Sequence, residues 1–174
     1  MAEKSGPGAN GLMFLPYLLG ERAPRWNPLA RGSFVGMGID TCREDMARAI
    51  LEGVGYNLEL MHRIIKDYAP IDTMIMTGGG AKSELWTQIL SDILGIPIKR
   101  PTSAEEATSF GAALIACVGI GLYEDYTVAL EMMQFGQDIY PDMKKHEFYQ
   151  QRVDVFVKAY HAIQPINDMI REIK

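Results

Sequence analysis

Ile71-Asp72-Thr73-Met74-Ile75-Met76-Thr77-Gly78-Gly79-Gly80-Ala81-Lys82-Ser83 decides how the rest of the chain is read. Met74, Ile75 and Met76 form a short apolar run that suits a strand buried in a sheet, with Asp72 and Thr73 at its exposed start. Three glycines follow Thr77. Lacking Cβ, they let the backbone take positive φ and let a ligand lie against its amides. From Ala81 to Leu94 the spacing turns helical, with Leu85, Trp86, Ile89, Leu90 and Ile93 on one side and Lys82, Glu84, Gln88 and Asp92 on the other. The helix is therefore expected to begin directly at the glycines. Its free N–H groups and dipole would then favour a phosphate or an adenosine on the loop.

Other glycine-loop motifs fit less well. A P-loop needs glycine before its Lys-Ser and again five positions earlier, where Ala81 and Met76 stand here. A dinucleotide fingerprint needs a third glycine where Ser83 is found, and none follows before Gly95. A tight strand-to-helix turn with no ligand needs one glycine, so three in a row favour the ligand.

Working outward, 174 residues with 48% hydrophobic content suit one domain with a real core. The net charge of −5 and the lack of any Lys/Arg run argue against nucleic acid as partner. Cys42 and Cys117 lack metal-ligand spacing, and no leader-like or membrane-length apolar stretch is present, so the expected location is the reduced cytoplasm.

Residues 1–10 are polar and glycine-rich and read as a flexible lead-in or a cloning boundary, with the domain expected over 11–174. Leu12 to Leu19 is apolar, and Pro16 argues against a central strand, so a buried irregular segment is expected. Gly20-Glu21-Arg22-Ala23-Pro24-Arg25-Trp26-Asn27-Pro28 reads equally as an ion-paired surface loop and as a ligand contact. Arg31 to Ile39 alternates with period two, as a strand does.

Thr41 and Glu44 have capping-box spacing for a long helix with Ala47, Ile50, Leu51, Val54, Leu58, Met61 and Ile65 as its apolar face, ending near Tyr68. Gly53 and Gly55 inside it imply close packing. Gly95 is placed as a C-cap, and Ile96 to Lys99 reads as an edge strand because of Pro97. Ser103 and Glu106 would cap a helix reaching Gly119, where Glu105, Glu106 and Thr108 stand as solvated helix-start residues or cleft-lining ones. A short helix is expected near Thr127 to Met133. An amphipathic helix from Lys144 is expected to be bent or interrupted by Pro165. His62, His146 and His161 lack partners at catalytic or metal spacing and read as surface or helix-side histidines.

These residues carry a family resemblance. Gly32-Ser33-Phe34-Val35-Gly36-Met37, then Asp45-Met46 and Ala49-Ile50-Leu51-Glu52, resembles the C-terminal signature of the FGGY carbohydrate kinases. Thr77 to Ser83 resembles the adenosine motif of the actin, hexokinase and Hsp70-like ATPases, and Ala107 to Ala113 the family's following helix. Leu15-Pro16-Tyr17-Leu18 with Gly20-Glu21-Arg22-Ala23-Pro24 is similar to the xylulokinase branch, and the gluconokinase branch carries nearly the same.

The resemblance implies an α/β, ribonuclease-H-like C-terminal domain of the actin-like ATPase superfamily, incomplete at its N-terminal strands. It implies a full-length enzyme that phosphorylates xylulose with ATP and Mg2+, with gluconate or another polyol as the alternative acceptor. A non-catalytic nucleotide-binding module is the alternative outside enzymes. Gly79, Gly80, Ala81 and Ser83 would contact ATP or ADP, Gly78 would shape the turn, and Lys82 would be solvated. The resemblance places the catalytic base, the magnesium site and most sugar contacts upstream, so no catalytic residue is assigned within this chain, and no turnover is expected of it alone. Missing strands imply an unpaired sheet edge, expected at Gly32 to Ile39, and with it a homodimer.

Overall fold

The computed structural model describes residues 1–173, apart from the side chains of Glu105 and Arg171. β1 (Met13–Leu15) pairs antiparallel with β2 (Ser33–Val35), Met13 opposite Val35 and Leu15 opposite Ser33. The apolar run ahead of Pro16 is thus a short strand, and the irregular backbone begins only at the proline. The long helix α1 (Arg43–Lys66) follows. β3 (Met74–Ile75) and β4 (Ile98–Lys99) run parallel, joined through the crossover helix α2 (Glu84–Leu94). Helices α3 (Ala107–Gly119), α4 (Val128–Met132) and α5 (Met143–Glu172) complete the mixed α/β architecture.

The edge of the second sheet is not where Pro97 suggested. Ile98 exchanges both backbone hydrogen bonds with Ile139, at 2.9 and 3.0 Å, so β4 is flanked on both sides. β3 is the edge: among the described residues no strand pairs with its outer side. Met74 is half-buried and Ile75 is 41% exposed, so the expected fully buried strand is not found.

Residues 1–11 are not a loose lead-in. They form two 3-10 turns, Ala2–Lys4 and Ala9–Gly11, that bury Ala2, Ser5 and Ala9. Ser5 Oγ donates to Asp45 at 2.7 Å and the Gly8 amide donates to Glu52 at 2.9 Å. Those two acceptors are why the polar segment packs on α1.

Asp45 also sets where α1 starts. Its carboxylate accepts the Cys42 amide at 3.0 Å, one residue beyond the expected Thr41–Glu44 box, while Thr41 Oγ1 accepts the Gly38 amide. The inward face of α1 differs from the apolar one read in sequence. Ala47, Leu51, Val54, Leu58 and Met61 are half-buried and Ile50 and Ile65 are exposed, whereas Asp45, Arg48, Ala49, Glu52, Tyr56, Glu59, Leu60 and His62 are buried. The helix turns charge inward because each buried charge is paired.

Glu52, fully buried, accepts from Gly8 N, Arg48 Nε (2.7 Å), Tyr149 OH (2.8 Å) and Tyr56 OH (3.0 Å). Burial works to lower the pKa of Arg48, but its bonds to Glu52 and Tyr149 hold it above the ordinary value. Burial and the nearby Glu52 charge raise both tyrosine phenols, so they stay protonated donors. Glu59 similarly takes Arg63 and His62, the latter on the helix as expected but buried rather than on the surface.

The two glycines of α1 mark close approaches, as expected. A Cβ on Gly53 would lie 2.2 Å from the Phe14 carbonyl oxygen, and one on Gly55 would lie 2.5 Å from Ile93 Cδ1.

The main core joins Met13, Leu15, Tyr17, Tyr56 and Leu60 to Ile89 and Ile93 of α2 and to Tyr149, Val153, Phe156 and Tyr160 of α5. Each fully buried large side chain there is worth roughly 1.5–3 kcal/mol over an exposed one. Asp92, read as outward, is 2% exposed and accepts the Asp142 amide, fastening the start of α5. Pro165 does not interrupt α5, whose flanking Tyr160 and Asn167 are both buried against the body. Gly95 is the left-handed C-cap of α2 (φ 72°), and the ring of His146 lies where its side chain would be. The Glu21–Arg25 pair and Arg25 stacked over the Tyr160 ring at 4.3 Å bear out the ion-paired side of the Gly20–Pro28 loop.

Helix α3 is apolar yet mostly exposed: Ile115 is 62% exposed and only Leu114 is buried.

Candidate functional site

The glycine run sits where β3 leaves the sheet. Gly78 takes φ 78°, and its amide donates to the Ala104 carbonyl at 2.7 Å, tying the turn to the segment after β4. Gly79–Lys82 then form a 3-10 turn in which the Ala81 amide bonds Gly78 O and the Ser83 amide bonds Gly80 O. The helix therefore does not begin at the glycines. It begins at Ser83, the N-cap, whose Oγ accepts the Trp86 amide at 3.2 Å. That bond uses a lone pair and leaves the exposed Ser83 hydroxyl proton free to be donated.

The first two amides of the 3-10 turn, those of Gly79 and Gly80, have no acceptor within it. The side-chain positions differ sharply. A Cβ on Gly78 or Gly79 would meet nothing within 4 Å, whereas one on Gly80 would fall 2.3 Å from Trp86 Cζ3 and 3.1 Å from Met76 Cε. The turn therefore presents one open flank, at Gly78 and Gly79, and rests the other on Trp86. Arg100, at the end of β4, donates to the Ala81 carbonyl at 3.2 Å and pairs with Glu84 at 3.6 Å.

A cleft of about 450 Å³ lies between this turn and the segment after β4, lined by Ala81, Lys82, Arg100, Thr102, Ser103 and Glu106 among others. That volume lies within the range of small-ligand pockets. Of the five residues singled out in the sequence, Gly78, Gly79, Gly80, Ala81 and Ser83, only Ala81 lines the cleft; the other four belong to the same turn but do not line it. Lys82, expected to be merely solvated, lines the cleft as well. Of the residues near the start of α3, Glu106 lines it and Thr108 does not. Ser103 makes no side-chain cap: Glu106 instead precedes α3 in a 3-10 turn over Ala104–Glu106.

Trp86, Arg100 and the Ala104 carbonyl were not singled out in the sequence. A third glycine beyond what a tight turn needs, six residues before a tryptophan, is the one signal that pointed at Trp86.

Comparison with known proteins places this geometry among kinases. Residues 1–120 match the FGGY family of carbohydrate kinases, C-terminal domain. Xylulose kinase of Staphylococcus epidermidis is 36% identical over 162 residues, 92% of this chain and 32% of that protein. Gluconokinase of Bacillus licheniformis is 34% identical over 166 residues, 94% of this chain and 32% of that protein. Ligand-bound xylulose kinase from Lactobacillus acidophilus superposes with a TM-score of 0.82 at 32% identity, covering 93% of this chain and 33% of that one. Plasmodium falciparum glycerol kinase with ADP superposes with a TM-score of 0.73 at 26% identity, covering 91% and 32%. The chain thus spans about a third of the length of the relatives it matches.

Proposed function

The chain belongs to the FGGY family of carbohydrate kinases, as its C-terminal domain, and on that premise we propose that it is the nucleotide-holding portion of an ATP-dependent sugar kinase. The full-length protein transfers the γ-phosphoryl group of ATP to a sugar hydroxyl. The observation that carries this reading is the turn at Gly78 to Ser83, with its open flank at Gly79, two amides unaccepted within the turn, a hydroxyl free to donate, and a cleft beside it. The ADP-bound glycerol kinase of the same shape supports the choice of ligand.

In this reading the Gly79 and Gly80 amides and the Ser83 hydroxyl donate to acceptors of the nucleotide, and Gly78 and Ala81 give the turn its path. Xylulose is the acceptor sugar favoured by the resemblance to xylulose kinases, and gluconate is the second choice because gluconokinases match nearly as well. By that resemblance the catalytic base and most sugar contacts belong to the part of the enzyme outside this chain. Among the described residues no group of three or more His, Cys, Asp or Glu could hold a metal ion. The magnesium that accompanies ATP is placed in the outside portion by the family resemblance. A cytoplasmic location belongs to the proposal; among the described residues no helix is long and apolar enough to cross a membrane. Self-association through an uncovered sheet edge is also part of it, at the expected β2, which among the described residues pairs only with β1, or at β3.

Titration calorimetry with ADP and ATP tests the reading. The chain should bind both weakly and release no ADP when xylulose or gluconate is added. Failure to bind either nucleotide would refute it.

A further inference from the structure

Gly80 and Trp86 occupy one another's space. The edge of the tryptophan benzo ring stands where a Gly80 side chain would begin, with Cζ3 at 2.3 Å and Cε3 at 2.9 Å from that position, and Met76 Cε closes it at 3.1 Å. Trp86 is half-buried in the cluster that holds Met74, Met76, Leu90 and Ile98, so its ring is braced by both strands of the second sheet. Its own amide is the donor that caps onto Ser83. One residue thus contacts the glycine turn by its ring and the Ser83 hydroxyl by its backbone.

The polar end of that ring contributes nothing visible. Trp86 Nε1 is shielded from solvent and has no hydrogen-bond partner. Buried donors are ordinarily satisfied, and leaving one unpaired costs roughly 1–3 kcal/mol. What the ring supplies at this place is its shape.

We propose that Trp86 is a positioning residue for the nucleotide turn: its ring is the surface on which Gly80 rests, and it fixes the direction in which the Gly79 and Gly80 amides point. The inference rests on the nucleotide reading of the site and adds to it a residue that touches no ligand. Preorganised donors lose effect steeply when displaced by about 1 Å, and an unsupported glycine turn is free to sink by that much.

The chain's two tryptophans allow a direct test, because Trp26 is 73% exposed on the Gly20–Pro28 loop. In a Trp26→Phe chain the emission comes from Trp86 alone and should shift on addition of ADP. By calorimetry, Trp86→Leu should weaken ADP binding about tenfold. Trp86→Phe should restore most of the affinity, because it keeps a six-membered ring, and should be no less stable, because it sheds the unpaired N–H. Gly80→Ala should weaken ADP in the parent and add little to Trp86→Leu, the signature of two residues acting through one contact.

ADP binding by Trp86→Leu equal to the parent, an unchanged Trp86 emission, or equal Gly80→Ala penalties with and without the ring would each overturn the inference while parent binding keeps the nucleotide reading intact. Absence of binding by the parent would overturn both.

Discussion

A methyl group on Gly79 would enter open space at an unremarkable backbone angle, whereas one on Gly80 would strike a braced ring. Gly79→Ala should therefore leave the free energy of unfolding in urea within about 0.5 kcal/mol of the parent while weakening ADP in calorimetry, because the methyl occupies the flank the ligand approaches. Glu52 is the opposite case. Far from the cleft, it holds Gly8, Arg48, Tyr56 and Tyr149 at once. Glu52→Ala leaves the buried Arg48 guanidinium without its carboxylate and should cost about 3–5 kcal/mol in urea unfolding, with nucleotide affinity unchanged in whatever fraction stays folded. In sequence Gly78 was set apart as shaping the turn, while Gly79 and Gly80 were given one cause, contact with the nucleotide. Gly78 answers to a positive φ, Gly79 to open space and Gly80 to Trp86, and only the last two depend on atoms distant enough to be invisible in the glycine run itself.

At the scale of elements, α1 shows where hydrophobic periodicity misleads. Its apolar residues are regularly spaced, yet the side that packs inward carries Arg48, Glu52, Glu59 and His62, which count as polar in any periodic reading and become core residues only through partners up to 101 positions away. The strand-turn-helix order around Gly78, the capping role of Gly95 and the tight packing at Gly53 and Gly55 were legible, because each follows from backbone geometry within one element. Gly53→Ala illustrates how magnitudes decide the sign. Alanine is the better helix former by about 1 kcal/mol, but its methyl would sit 2.2 Å from a backbone carbonyl that cannot move aside, and overpacking costs about 1–3 kcal/mol. Net destabilisation is the expected result of a thermal melt.

The start of α1 carries a pH dependence. Hydrogen bonds from Ser5 and then from Cys42 hold the Asp45 carboxyl below its ordinary pKa. Its stabilising effect is thus present above the unfolded value of about 3.9 and is lost as pH falls through the lower folded one. The stability gap between the parent and Asp45→Asn, measured in urea, should accordingly close as pH drops below about 4.

Over the whole molecule, β3 has a bare outer edge and α3 keeps Ile115 and most of its neighbours in solvent. The expectation of an unpaired edge at Gly32 to Ile39 was drawn from family resemblance, and among the described residues β2 does pair only with β1; the second edge, at β3 rather than β4, depends on Ile139 reaching back to Ile98, a pairing that no local pattern announces. An uncovered strand edge and an exposed apolar helix each invite association. Sedimentation velocity should show the chain's average mass rising with concentration; a single unchanging species across a hundredfold range of loading would exclude that. The order in which the parts are made has its own consequence. α5 is made after the elements it closes, and it delivers Tyr149, Val153, Phe156 and Tyr160 into contacts with residues as early as Met13 and Leu15. Until a ribosome has released α5, this core stays open to chaperones and proteases, so a premature stop codon ahead of Tyr149 should yield a product cleared by proteolysis, checked by its half-life beside the parent's.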